Sequence, residues 1–166
     1  MKLIILDRDG VINFDSDQFI KSPDEWKPIP GSLEAIARLT REGWRVFEMA
    51  TLNAIHAKMH KAAAQAGGRI EAVFYCPHSA DMNCGCRKPR AGMLNEIGMR
   101  YGSDLNGVPV VGDSLRDLEA AANVGARPLL VKTGKGEKTL AAGGLPASTP
   151  VFSDLGAAVE HLLTAA

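Results

Sequence analysis

An excess of charge of either sign is missing from this 166-residue sequence, in which Lys plus Arg and Asp plus Glu both number 19 for a formal net charge of +0. That balance excludes the broad electrostatic footprint by which nucleic-acid and anionic-membrane binders gather phosphate. No nucleic acid and no membrane is expected as a partner, and any anion must be met by a local site. Long apolar runs are missing too. The chain passes from Met1 into Lys2-Leu3-Ile4-Ile5-Leu6 without an apolar leader or a small-residue cleavage site, and no later run approaches a membrane span. A cytoplasmic protein is expected. Cysteine is scarce: its 3 copies fall between Cys76 and Cys86. An odd number crowded beside a histidine points to metal rather than to a disulfide framework.

What is present is enough apolar material to fold. With 46% hydrophobic residues and no internal repeat or low-complexity tract, residues 1–166 are expected to form one compact domain. Short apolar runs at Leu3 to Leu6, Ala72 to Tyr75, Val108 to Val111 and Leu129 to Val131 have the length of strands buried on both faces. Helical spacing recurs between them. Ser32 is placed to cap Leu33, Ile36, Ala37 and Leu39, and Thr51 to cap Leu52, Ile55, Met59 and Ala62 before Gly67-Gly68. Further helices fit Gly92 to Tyr101, Leu115 to Asn123 and Asp154 to Leu163. The alternation predicts an α/β fold: a Rossmann-like three-layer domain with a central parallel sheet, no separate cap domain, and ligands at the carboxyl ends of the strands.

Two of those strand ends carry paired carboxylates. The first strand runs into Asp7-Arg8-Asp9-Gly10-Val11-Ile12-Asn13, and the Val108 strand into Gly112-Asp113-Ser114-Leu115-Arg116-Asp117. Side chains two apart on an extended chain share a direction, and clustered carboxylates repel one another unless a hard cation lies between them. Any one of these aspartates is equally at home as a turn or cap residue, Asp117 above all. Together they form a candidate Mg²⁺ site.

The motifs Asp7-Arg8-Asp9-Gly10 and Gly112-Asp113-Ser114-Leu115-Arg116-Asp117 resemble the D-x-D-G and G-D-x-x-x-D motifs of the haloacid dehalogenase superfamily. The resemblance implies a phosphatase in which Asp7 is the nucleophile, Asp9 the general acid and base, and Asp7, Asp9 and Asp113 the Mg²⁺ residues, with Asp117 nearby. The chemistry suits those residue types. An ionised Asp7 attacks phosphorus, and Asp9 supplies a proton to the departing oxygen, then removes one from water.

Cys76-Pro77-His78 and Cys84-Gly85-Cys86 supply three thiolates and one imidazole, the ligand count of a closed tetrahedral Zn²⁺ site on a small loop. Arg87-Lys88-Pro89 follows directly. With these motifs the resemblance narrows to the zinc-containing histidinol-phosphate and heptose-bisphosphate phosphatases. The segments Asp7 to Asn13, Lys21-Ser22-Pro23 and Gly112 to Asp117 look more like the heptose branch. It implies catalytic Lys88 holding the transferring phosphate, Arg87, Lys88 and Asn13 as substrate-binding residues, and a monomer acting on a small sugar phosphate. The implied reaction removes the 7-phosphate of D-glycero-D-manno-heptose 1,7-bisphosphate on the route to lipopolysaccharide heptose; histidinol-phosphate hydrolysis is the alternative. Residue chemistry alone specifies a small phosphomonoester.

One part of the family pattern is absent. A T-N-Q-S-G-like segment, whose hydroxyl and amides grip phosphate after the second strand, has no counterpart after Gly43-Trp44-Arg45-Val46. The chain continues Phe47-Glu48-Met49-Ala50-Thr51, where Arg45 and Glu48 bracket only two apolar residues, so the second strand reads as cut short. Either residues between Val46 and Phe47 are absent from this sequence, in which case a gap separates their Cα atoms, or the deletion is genuine. The intact remaining motifs favour the former. In the latter case Thr51 must supply the hydroxyl, or the chain is a catalytically impaired, zinc-stabilised binding protein. Thr133-Gly134-Lys135-Gly136 lacks P-loop spacing and reads as a loop at the edge of the site.

Overall fold

A computed structural model describes residues 2–14, 27–50, 56–75, 84–85 and 88–165. Alternating strands and helices build one six-stranded sheet in the order β3-β2-β1-β4-β5-β6, with every pairing parallel. The strands are β1 (Lys2–Asp7), β2 (Trp44–Ala50), β3 (Ile70–Tyr75), β4 (Pro109–Gly112), β5 (Arg127–Val131) and β6 (Val151–Phe152). The helices are α1 (Ser32–Arg41), α2 (His56–Gln65), α3 (Gly92–Tyr101), α4 (Leu115–Asn123), α5 (Gly136–Ala142) and α6 (Leu155–Thr164).

Strand β1 explains the layering. Its side chains alternate, so Ile4 and Leu6 meet Ile36 and Leu39 of α1, Met59 of α2 and Val159 of α6, whereas Leu3 and Ile5 meet Leu94 and Ile97 of α3 and Ala121 of α4. The result is the expected three-layer α/β fold. Strand order reverses direction at β1 and β4, and this switch point is where open parallel sheets leave a crevice beyond their carboxyl ends. Among the described residues no helix is long and apolar enough to cross a membrane.

Three local expectations need correction. Ser32 does not cap α1: Gly31, with φ 87°, is the N-cap, and the Ser32 hydroxyl donates to the Val11 carbonyl at 2.8 Å, tying the helix start to the loop after β1. A seven-residue helix α5 and a two-residue strand β6 lie between Val131 and the expected last helix, where the sequence reads as a glycine-rich loop. Strand β2 is not cut short, and no gap separates Val46 from Phe47. They are successive rungs against β1, Val46 opposite Ile4 and Phe47 opposite Ile5, in a register running unbroken from Lys2↔Trp44 to Asp7↔Met49. The mismatch appears on the other side. Against β3 the register slips at that junction, from Val46↔Ile70 to Phe47↔Ala72.

Continuity places a carboxylate inside the sheet. Glu48 faces Leu6 across the β1–β2 ladder and is 0% exposed. Its nearest counter-charge is the buried Arg8, whose Nε lies 3.7 Å from Glu48 Oε1. Neither Glu48 oxygen accepts a hydrogen bond among the described residues. Burial pushes its pKa from 4.5 to about 8, the Arg8 charge offsetting only part of that cost.

Candidate active site

Asp7 ends β1 and Asp113 follows β4, the adjacent strand, so their carboxylates meet at the switch point. Asp117 joins them from the first turn of α4. There Ser114 and Asp117 form a capping box, the Ser114 hydroxyl and amide donating to Asp117 Oδ2 at 2.8 and 3.2 Å. One carboxylate oxygen from each of Asp7, Asp113 and Asp117 falls within 4.8 Å of the others, and all three residues are buried. Gly112 permits this packing, since a Cβ there would lie 2.5 Å from the Asp117 Cβ.

Lys88 reaches into the cluster. Its Nζ donates to Asp7 Oδ1 at 2.8 Å and to Asp117 Oδ1 at 2.7 Å, with the side chain 5% exposed. Burial alone lowers an ammonium's pKa, but the Asp117 and Asp7 charges outweigh it and hold Lys88 above its ordinary value. The two acids respond oppositely. Burial raises both, yet the Lys88 charge and the Lys88 and Ser114 hydrogen bonds bring Asp117 below the usual carboxylate range. Asp7, faced by both Asp117 and Asp113, is raised well above it. One ammonium cannot neutralise three carboxylates.

That imbalance tests the fit of the expected metal. With all three acids ionised, two negative charges are left over, matching one divalent cation, and an all-oxygen donor set suits Mg²⁺. Asp7, Asp113 and Asp117 fit the ion. Asp9 does not join them: its Oδ1 accepts from Arg8 Nε at 3.1 Å and Asn13 Nδ2 at 3.0 Å.

Asn13, expected at the substrate, is 0% exposed and gives its amide to Asp9 and to the Phe14 carbonyl. The loop Thr133-Gly134-Lys135-Gly136, read from the sequence as lying at the edge of the site, lies there, and Thr139 joins it as a residue the sequence did not mark. The backbone amide of Lys135 donates to Asp113 Oδ2 at 3.0 Å, the Thr139 hydroxyl to the Asp113 carbonyl at 2.8 Å, and the Thr133 hydroxyl to the Gly10 carbonyl at 2.6 Å. The glycine-rich loop before α5 is thus fastened to both motif loops. Only its glycines hinted at a close approach. Of the candidate zinc ligands, Cys84 is half-buried against the core on the α3 side, while Cys76, His78 and Cys86 lie outside the described residues, as do Arg87 and Thr51.

Comparison with known proteins accords with this geometry. A HAD-hydrolase-like family model matches residues 85–158. The D-glycero-beta-D-manno-heptose-1,7-bisphosphate 7-phosphatase of Bordetella bronchiseptica is 60% identical, over 98% of this chain and 98% of its own. That alignment spans 176 positions against the 166 residues here, so the relative carries at least ten residues that this chain lacks. The crystal structure of D,D-heptose 1.7-bisphosphate phosphatase from B. bronchiseptica complexed with magnesium and phosphate superposes with a TM-score of 0.97 at 57% identity, covering 100% of both chains. The corresponding enzyme of Burkholderia thailandensis gives 0.80 at 48% identity, covering 99% of both. A carboxylate trio on a lysine at the switch point of a parallel sheet, and relatives matching from end to end, together show that the chain belongs to the D-glycero-beta-D-manno-heptose-1,7-bisphosphate 7-phosphatases, within the haloacid dehalogenase-like hydrolases.

Proposed function

We infer that this chain removes the 7-phosphate of D-glycero-beta-D-manno-heptose 1,7-bisphosphate through an aspartyl-phosphate on Asp7. The observation that carries the reading is the buried trio of Asp7, Asp113 and Asp117 around the Lys88 ammonium. Lys88 holds one Asp7 oxygen, and its remaining proton donor is matched to an oxygen of the incoming phosphate. Asp7 attacks phosphorus in line as the ester oxygen departs. Asp9 protonates that oxygen, then accepts a proton from the water that cleaves the acyl phosphate, which returns Asp7 as a carboxylate. Magnesium, which Asp7, Asp113 and Asp117 would hold, balances their surplus charge and draws electron density from the phosphoryl group when bound.

The sugar specificity comes from the relatives named above. What supports the chemistry is the site itself. In the same reading Cys76, His78, Cys84 and Cys86 close a structural zinc site that carries Arg87 toward the substrate; the support is their spacing and ligand count. The test is to incubate the protein with the 1,7-bisphosphate and magnesium and identify the product by phosphorus NMR. One inorganic phosphate and the heptose 1-phosphate are expected, and release of the 1-phosphate, or of none, refutes the reading.

A further inference from the structure

Asp9 is held from one side only. Its Oδ1 accepts both Arg8 Nε, at 3.1 Å, and Asn13 Nδ2, at 3.0 Å, whereas Oδ2 accepts no hydrogen bond among the described residues. The two donors are themselves fixed. Asn13 is 0% exposed, its amide also donates to the Phe14 carbonyl at 3.0 Å, and its backbone carbonyl accepts from the Gly10 amide at 2.8 Å. Arg8 is 2% exposed and lies between Asp9 and the buried Glu48, 3.7 Å away in β2. Asp9, by contrast, keeps a side chain 29% exposed.

We propose that Arg8 and Asn13 are positioning residues that clamp Asp9 by Oδ1 and leave Oδ2 as the oxygen that exchanges the proton. A carboxyl swinging about its two torsions presents either oxygen at varying distance, and proton transfer requires one of them within hydrogen-bond reach of the departing ester oxygen. Two donors on Oδ1 remove that freedom. The step they serve is balanced: the P–O ester bond breaks as the Asp7–phosphorus bond forms, the Oδ2 proton passes to the leaving oxygen, and the alcohol departs. Water then returns a proton to Oδ2 as its hydroxyl takes the phosphoryl group from Asp7. In this role Arg8 and Asn13 act through Asp9.

The inference rests on the proposed phosphatase activity, and leaving-group dependence tests it. An alkyl phosphate needs its leaving oxygen protonated, whereas p-nitrophenolate departs without help. Single-turnover formation of the phosphoenzyme is measured with magnesium on the heptose 1,7-bisphosphate, an alkyl ester at position 7, and on p-nitrophenyl phosphate. The proteins are wild type, Asn13→Leu, and the double variant Arg8→Met with Glu48→Leu, which removes both buried charges together so that the fold survives. Each variant is expected to lose about tenfold or more on the alkyl ester, within the range of general acid catalysis, and less than about threefold on the aryl ester. Equal losses on both esters, or none, overturn the positioning role. Wild type that forms no phosphoenzyme on either ester overturns the phosphatase reading and this inference with it, whereas active wild type with proportional losses overturns this inference alone.

Discussion

Replacing Glu48 by Gln isolates a carboxyl buried within the sheet. Its carboxyl is 0% exposed, accepts no hydrogen bond among the described residues, and has its pKa raised by burial from 4.5 to about 8, against the pull of Arg8. A carboxyl whose folded pKa lies above its unfolded one binds an extra proton on folding, so its contribution favours the fold at low pH and is lost as pH rises through about 8. At about 1.4 kcal/mol per pKa unit, the wild type should lose about 4 kcal/mol between pH 5 and pH 9 relative to the glutamine variant. Gln keeps the volume and does not ionise. Asp7, whose pKa is also raised by burial and by its neighbours Asp117 and Asp113, is present in both proteins, so its own pH dependence cancels in the difference. Urea unfolding of the two proteins at several pH values gives the comparison directly. Parallel stability curves, or a variant less stable than wild type at pH 9, would refute the argument that this carboxylate is buried at a net cost.

Asp7→Asn should abolish phosphoenzyme formation while leaving the melting temperature unchanged or higher, since it relieves repulsion within the trio; residual turnover with intact fold counts against the nucleophile assignment. Gly10→Ala should destabilise the protein by about 1–3 kcal/mol and weaken magnesium binding, because residue 10 has φ 84° and a Cβ there would strike the Asp113 carboxylate. Calorimetry reads both effects, and an unperturbed variant would contradict the close approach of the two motif loops. X-ray absorption should find one zinc per chain with Zn–S near 2.3 Å, whereas a disulfide among the three cysteines, or no zinc in protein prepared with it, removes the closed site.

The reaction centre is legible in the sequence to the extent that local chemistry fixes it. Asp7 and Asp113 are readable because each directly ends a short apolar strand, and parallel strands deliver such residues to one edge. Asp9 is legible as a motif residue, though its hydrogen-bond partners are not. Its neighbours Arg8 and Asn13 compete for its carboxylate, and spacing alone does not show where a side chain's hydrogen bonds go. The hold of Lys135, Thr139 and Thr133 on the motif loops is invisible for a different reason, since it arises only when chain segments 22 to 123 residues apart are brought together. Strand β2 shows tertiary context overriding pattern. Phe47 and Met49 fill core positions on the α3 side well enough for Glu48 to be carried into the sheet between them.

The bond from the Thr133 hydroxyl to the Gly10 carbonyl joins positions 123 residues apart. Contacts of such separation close late, after the intervening loop entropy has been overcome. The nucleophile loop therefore reaches its final shape only once β5 has docked beside β4 and the loop before α5 has folded back across the sheet edge. A partly folded chain holds Asp7 without the frame that brings Asp113 to it, and so binds the divalent ion weakly. Magnesium affinity during refolding is in effect a clock for the last tertiary step, and its rise should lag the recovery of helical signal.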